Sequence, residues 1–174
     1  FDSIHKSPIP NYPNKVGIIS SEKGAVIWDM INFFKTQAIN LNFILNHVSV
    51  QGHNAPQEII NGINNFKKLN VDIIIIARGG GSIDDLWCFN DESLVLKIFE
   101  TKIPIISAIG HETDFTLCDF VSDYRAPTPS YAAELISRNY HSLLQDLDGC
   151  IDSIDTSMQM KIFEYRKILQ MYSM

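Results

Sequence analysis

The sequence predicts an α/β fold: an open, mostly parallel Rossmann-like sheet with helices on both faces, followed by a long C-terminal helix. Three observations predict it. From Lys15 onward, short β-branched runs alternate with longer stretches of helical period, the pattern of parallel strands joined by crossover helices. The run V-D-I-I-I-I-A at residues 71–77 is apolar almost throughout, as a strand covered on both faces must be. After Pro129 nothing in residues 130–174 breaks a helix except a tolerable Gly149.

Residues 1–14 hold Pro8, Pro10 and Pro13 among Ser, Asn and His. That composition resists regular structure and reads as a linker from something upstream. Strands are expected at 16–20, 43–50, 71–77 and 103–109. Between them, residues 24–37 carry Ile27, Met30, Ile31 and Phe34 at spacings of three and four, and residues 57–69 carry Ile59, Ile60, Ile63 and Phe66 likewise. Ser82 with Asp85 three residues later predicts a capping box that opens a helix running to about Phe99. An α/β domain over 15–137 and a helical segment over 138–174 complete the layout. In the latter, Leu144, Leu147, Ile151, Ile154, Met158, Ile162, Tyr165, Leu169 and Tyr172 form a heptad seam with a four-residue step after Met158. Such a stripe cannot bury itself. It reads either as a terminal helix packed on its own domain or as a truncated coiled coil through which copies associate. The chain starts at Phe1 and ends inside an apparent helix, so it reads as an excised fragment.

Composition narrows the function classes. At 174 residues, 45% hydrophobic and 20% charged, the chain is an ordinary globular domain and too short for two large ones. The longest apolar run is stopped by Arg78, far short of the ~20 residues that span a bilayer, so no membrane partner is expected. Cys88, Cys118 and Cys150 are widely spaced with no C-x-x-C pair, which argues against a disulfide framework or a zinc knuckle and fits a reducing cytoplasm. The net charge of −6 excludes a whole-domain basic field. A polyanion must be caught locally.

Ligands of open parallel sheets bind beyond the carboxyl ends of the strands. Three ends stand out: Ser20-Ser21 after the first strand, A-R-G-G-G-S (Ala77 to Ser82) after the third, and I-G-H-E-T-D (Ile109 to Asp114) after the fourth. Gly79, Gly80 and Gly81 let consecutive N–H groups face one anion, with a helix start at Ser82 adding its dipole. The loop is neither a Walker A motif nor G-x-G-x-x-G. Arg78 beside it favours a phosphate cradle over a merely flexible turn, because an arginine is hard to bury at the end of an apolar strand without an anion. In G-H-E-T-D, His111 and Asp114 lie three apart, close enough on one helical turn for the carboxylate to orient the imidazole for proton transfer near neutral pH. The zinc motif H-E-x-x-H is absent, since Phe115 stands where the second His would be. Asp29 lies between apolar neighbours on the first helix and either joins this site or faces solvent. Arg125, in R-A-P-T-P, is read as a structural ion-pair residue and a secondary candidate, as is Glu112.

The strings A-R-G-G-G-S-I-D-D-L-W-C-F-N-D-E, P-I-I-S-A-I-G-H-E-T-D-F-T and D-Y-R-A-P-T-P-S-Y-A-A-E-L, with G-I-I-S-S-E-K-G-A-V-I-W-D-M-I, closely resemble the catalytic domain of the exodeoxyribonuclease VII large-subunit family. The likeness covers most of residues 15–136. It implies exonucleolytic hydrolysis of single-stranded DNA to short oligonucleotides, an N-terminal OB-fold preceding this chain, and a stalk that binds several copies of a small subunit. It also implies that Asp29, Arg78, His111 and Asp114 are catalytic, with Gly79, Gly80, Gly81, Ser82, Ser20 and Ser21 around the phosphate. No cofactor is required on this reading; the alternative places Mg²⁺ between Asp29 and Asp114. Two other functions use the same loop: a non-catalytic phosphate- or nucleotide-binding module, and a hydrolase of small phosphoesters. The paucity of basic residues and the missing OB-fold predict weak DNA affinity for this segment alone.

Overall fold

A computed structural model describes residues 2–21, 25–37, 41–79, 83–110 and 113–172. Five strands, β1 (Lys15–Ser20), β2 (Asn42–His47), β3 (Ile73–Ala77), β4 (Ile105–Ala108) and β5 (Tyr124–Arg125), form one sheet in the order β2-β1-β3-β4-β5, and every pairing is parallel. The helices are α1 (Ala25–Gln37), α2 (Ala55–Leu69), α3 (Glu92–Glu100), α4 (Leu117–Val121) and α5 (Pro129–Tyr172), and a 3-10 helix spans Ile83–Asn90.

The order follows from crossover handedness. From β1 the chain steps outward to β2, then back across β1 to β3. Right-handed crossovers in opposite directions put α1 and α2 on opposite faces. Ile19, Ile74, Ile76 and Ile105 accordingly pack with Ile59, Ile63 and Phe66 of α2, Leu94 and Ile98 of α3, and Cys118 of α4. Val16, Ile18, Ile73, Ile75 and Ile106 alternate to the other face and are equally buried. On that side Phe34 of α1 stacks on Phe43 of β2 with centroids 6.1 Å apart. Gly17 is set by α2: a Cβ there would lie 2.7 Å from the Phe66 ring, so only glycine admits that phenyl group against the strand.

Several expected boundaries change. The second strand ends at His47, because Ser49 leaves the ladder and donates its N–H to Glu58 Oε2 at 2.7 Å. The single helix expected from Ser82 to Phe99 is two elements. The 3-10 helix ends at Asn90, and Asp91 caps α3 by accepting from the Leu94 N–H at 3.1 Å. Ser82 lies outside the described residues, and Asp85, expected to complete its capping box, pairs elsewhere. The proline-rich start is held to the domain: Asn14 and Lys15 both donate backbone N–H groups to Asp72 Oδ2 at 2.8 Å, and Ser7 donates its own to Asp123. Strand β5 and helix α4 have no counterpart in the sequence reading, being only two and five residues long.

Two compact units are distinguished, residues 1–138 and 139–174. The first contains the sheet and the start of α5, where Ala132, Ala133 and Ile136 are buried. The second is the remainder of α5, on which Leu147, Ile151, Ile154, Met158, Ile162, Tyr165 and Leu169 of the heptad seam are exposed. No helix among the described residues is long and apolar enough to cross a membrane.

Candidate active site

The chain reverses its direction of sheet growth between β1 and β3, and at such a switch point two loops part to leave a crevice beyond the strand ends. Register brings the predicted loops together there. Ile19 pairs with Ile76 and Ala77 with Ala108, so continuing the ladders sets Ser21 across from Arg78, and Arg78 across from Ile109. The Arg78 N–H donates to the Ala108 carbonyl at 3.1 Å, fixing that row. Ser20 is buried and its carbonyl accepts from the Val48 N–H at 3.1 Å; Ser21 and Gly79 are half-buried.

Arg78 is 5% exposed. A guanidinium so buried needs an anion, and the chain itself supplies one: Arg78 Nη2 lies 3.4 Å from Asp85 Oδ2, reached from the 3-10 helix. An exposed guanidinium–carboxylate pair contributes little, but here one partner is buried and desolvation strengthens the bond. A guanidinium has five donors in a planar fork, so a phosphate oxygen can be taken alongside this carboxylate.

The loop after β4 is held by a buried carboxylate that the sequence reading did not select. Asp119 accepts from the Thr116 N–H and Thr116 Oγ1, both at 2.8 Å, and from the Ser107 hydroxyl of β4, while Arg125 Nε lies 3.9 Å away. Thr116 and Asp119 form a reciprocal capping box at the start of α4. The T-x-x-D pattern was present in the sequence as the signal for it. Arg125 extends the network: its Nη2 donates to the Asp114 carbonyl at 3.3 Å, and its guanidinium sits 4.0 Å over the Phe115 ring. Arg125 is thus a structural ion-pair residue that holds the backbone at Asp114.

Asp114 is half-buried and belongs to no helix; the first described helix after β4 begins at Leu117. The expected single helical turn through His111 and Asp114 is therefore corrected to a loop at the aspartate end. His111 and Glu112, like Gly80, Gly81 and Ser82, lie outside the described residues. Gly110 explains how the loop turns: a Cβ there would lie 2.7 Å from the Asp114 carbonyl oxygen. Gly110→Ala is expected to push Asp114 outward, cutting the turnover of any reaction that uses this loop at least tenfold while shifting unfolding by no more than roughly 1–3 kcal/mol. Paired kinetics and thermal melts check this.

Asp29 is exposed on α1 and makes no hydrogen bond or ion pair with another described residue. The buried neighbours Ile27 and Met30 fix the helix face that turns it outward. Among the described residues no three His, Cys, Asp or Glu side chains converge as a metal cage would. Burial pushes the Cys88 and Cys118 thiols up, so neither is a thiolate nucleophile at neutral pH. Among the described residues the arrangement offers a guanidinium, Gly79 beside it and a buttressed loop bearing Asp114 at neighbouring strand ends, a set suited to binding a phosphate.

Comparison with known proteins agrees with this chemistry. The family model described as "Exonuclease VII, large subunit" matches residues 1–173. The chain is 47% identical over 169 residues to the exodeoxyribonuclease 7 large subunit of Clostridioides difficile, covering 95% of this chain and 42% of that protein. It is 45% identical over 170 residues to that of Koribacter versatilis, covering 97% and 37%. It is 51% identical over 163 residues to one from Clostridium botulinum, covering 93% and 40%. The chain thus spans about two fifths of the length of these relatives. By the family match and these identities, it belongs to the exonuclease VII large subunit family.

Proposed function

We propose that this chain carries the catalytic core of an exodeoxyribonuclease that hydrolyses phosphodiester bonds in single-stranded DNA and releases short oligonucleotides. The observation that supports the reading is the register that sets Arg78, at the end of β3, beside the end of β4 and the start of the loop that bears Asp114, within a chain of this family. In the proposed reaction water attacks the phosphorus in line with the leaving sugar oxygen, whose bond to phosphorus breaks as the new one forms. Gly79 to Ser82 hold the non-bridging oxygens with backbone N–H groups, and Arg78 neutralises the charge that grows on them. His111, oriented by Asp114, takes the proton of the attacking water as general base or gives one to the leaving oxygen as general acid, worth roughly 10²–10⁴ in rate. Asp29 aligns the water or the imidazole.

The reaction is proposed to need no metal, Mg²⁺ between Asp29 and Asp114 being the alternative. Partners are single-stranded DNA and several copies of the small subunit along residues 139–174, whose exposed apolar seam is the feature that supports it. An OB-fold preceding this chain supplies most of the DNA affinity. The cytoplasm is the proposed compartment.

The full-length large subunit assembled with its small subunit, assayed on single-stranded oligonucleotides with and without chelator, tests the reading. His111→Ala is expected to lose at least 10²-fold in kcat. Full activity in that variant removes the proton-transfer assignment, and loss of wild-type activity in chelator removes the metal-free mechanism.

A further inference from the structure

A cleft of about 730 Å³ lies between the β2–α2 connection and the 3-10 helix, lined by His53, Gln57, Trp87, Cys88, Asn90 and Asp91 among others. Nothing in the proposed reaction uses it. Trp87 is 77% exposed, an uncommon place for an indole without a ligand to cover it. The cleft and Arg78 are joined by the same 3-10 helix: Asp85 holds Arg78 at 3.4 Å, and Cys88, in the cleft wall, donates to the Asp85 carbonyl at 3.4 Å. Trp87 follows Asp85 by two residues, about 4 Å of axial rise. The Arg78 guanidinium also opposes the burial that pushes the Cys88 thiol up, which sets its charge close to the cleft.

Electrostatics decide what can enter. Asp91 and Glu92 both line the cleft. The Ser93 hydroxyl bond holds the Asp91 carboxyl below the usual carboxylate range, so its charge persists at neutral pH. A phosphate is repelled from such a wall, whereas an uncharged planar base is not, and His53, Gln57 and Asn90 present polar atoms for its edge. The cleft is within the size range of small-ligand sites.

We infer that the Trp87 cleft is a nucleobase subsite, in which the base adjoining the phosphate at Arg78 stacks on the indole while its backbone stays outside the acidic wall. The inference rests on the nuclease reading and adds to it a grip on the base. Stacking on an aromatic face tolerates any base, so it secures single strands without sequence preference.

The test uses the full large subunit assembled with its small subunit. Substrates are a single-stranded oligodeoxynucleotide and an oligomer of equal length built from tetrahydrofuran abasic residues. Trp87→Ala is expected to raise KM about tenfold on the base-bearing strand, the size of one lost stacking contact, and to leave kinetics on the abasic strand unchanged. Trp87→Phe retains most of the wild-type preference. Trp28 and Trp87 are the two tryptophans of these 174 residues, and in a Trp28→Phe background the oligodeoxynucleotide, not the abasic strand, quenches the part of the emission that Trp87→Phe removes. Equal effects of Trp87→Ala on both substrates, or none on either, overturn the inference while the nuclease reading stands; the second result points to a protein-docking face instead. No cleavage by the unsubstituted complex removes the nuclease reading, and this inference with it.

Discussion

Replacing Arg78 by Ala is expected to lower kcat on single-stranded DNA by about 10²–10³-fold in the assembled enzyme, the usual cost of losing one preorganised donor to a developing oxyanion. Arg78→Lys restores the charge but not the planar fork, so it recovers only part of the loss. The complication is structural, because Arg78 is buried and bound to Asp85. Asp85→Asn separates the two roles: it weakens that pair and leaves the guanidinium in place. If Arg78 acts on the phosphate, Asp85→Asn keeps turnover within about tenfold of wild type while Arg78→Ala does not. Similar losses in both variants, tracking a similar drop in melting temperature, would assign Arg78 to the fold alone.

Asp119→Ala is expected to give the largest loss of stability. It strips partners from the Thr116 N–H, the Thr116 hydroxyl and the Ser107 hydroxyl at once, all in a buried setting. Unsatisfied buried donors cost about 1–3 kcal/mol each when no water reaches them. With partial relaxation, a loss of about 3 kcal/mol is expected, or roughly 6–12 °C in Tm for a domain of this size. Asp119→Asn keeps the shape and part of the bonding, so its loss is smaller. Both variants lower activity beyond the stability effect, since Asp119 and Arg125 together hold the segment at Asp114. Thermal unfolding with kinetics well below Tm checks this; a variant that melts early yet turns over normally would confine Asp119 to the fold.

The elements legible in the sequence were those with long, uniform patterns. β3 is apolar because both faces are covered, and α1 and α2 repeat at three and four because each buries one stripe. The short elements escaped. Two residues of β5 and five of α4 carry no period; α4 exists because Thr116 and Asp119 cap its start, and β5 because it pairs with the β4 edge, where Asp123 Oδ2 accepts from the Ile105 N–H. The helix expected from Ser82 divides for a related reason: its apolar spacing continues through Asn90, but Asp91 can cap and does so.

For the candidate site, the sequence by itself determined which strand ends are the candidates, because glycine runs, an arginine after an apolar strand and G-H-E-T-D are local facts of composition and order. Only the tertiary structure decided who their neighbours are. The 2-1-3-4-5 order brings the ends of β1, β3 and β4 side by side. It supplies Arg78 with Asp85 as its anion, and makes Asp119 and Arg125 the supports of Asp114. The physical reason is range: backbone propensity and periodicity act over a few residues, whereas a buried ion pair is chosen by whichever opposite charge the packed chain brings within about 4 Å.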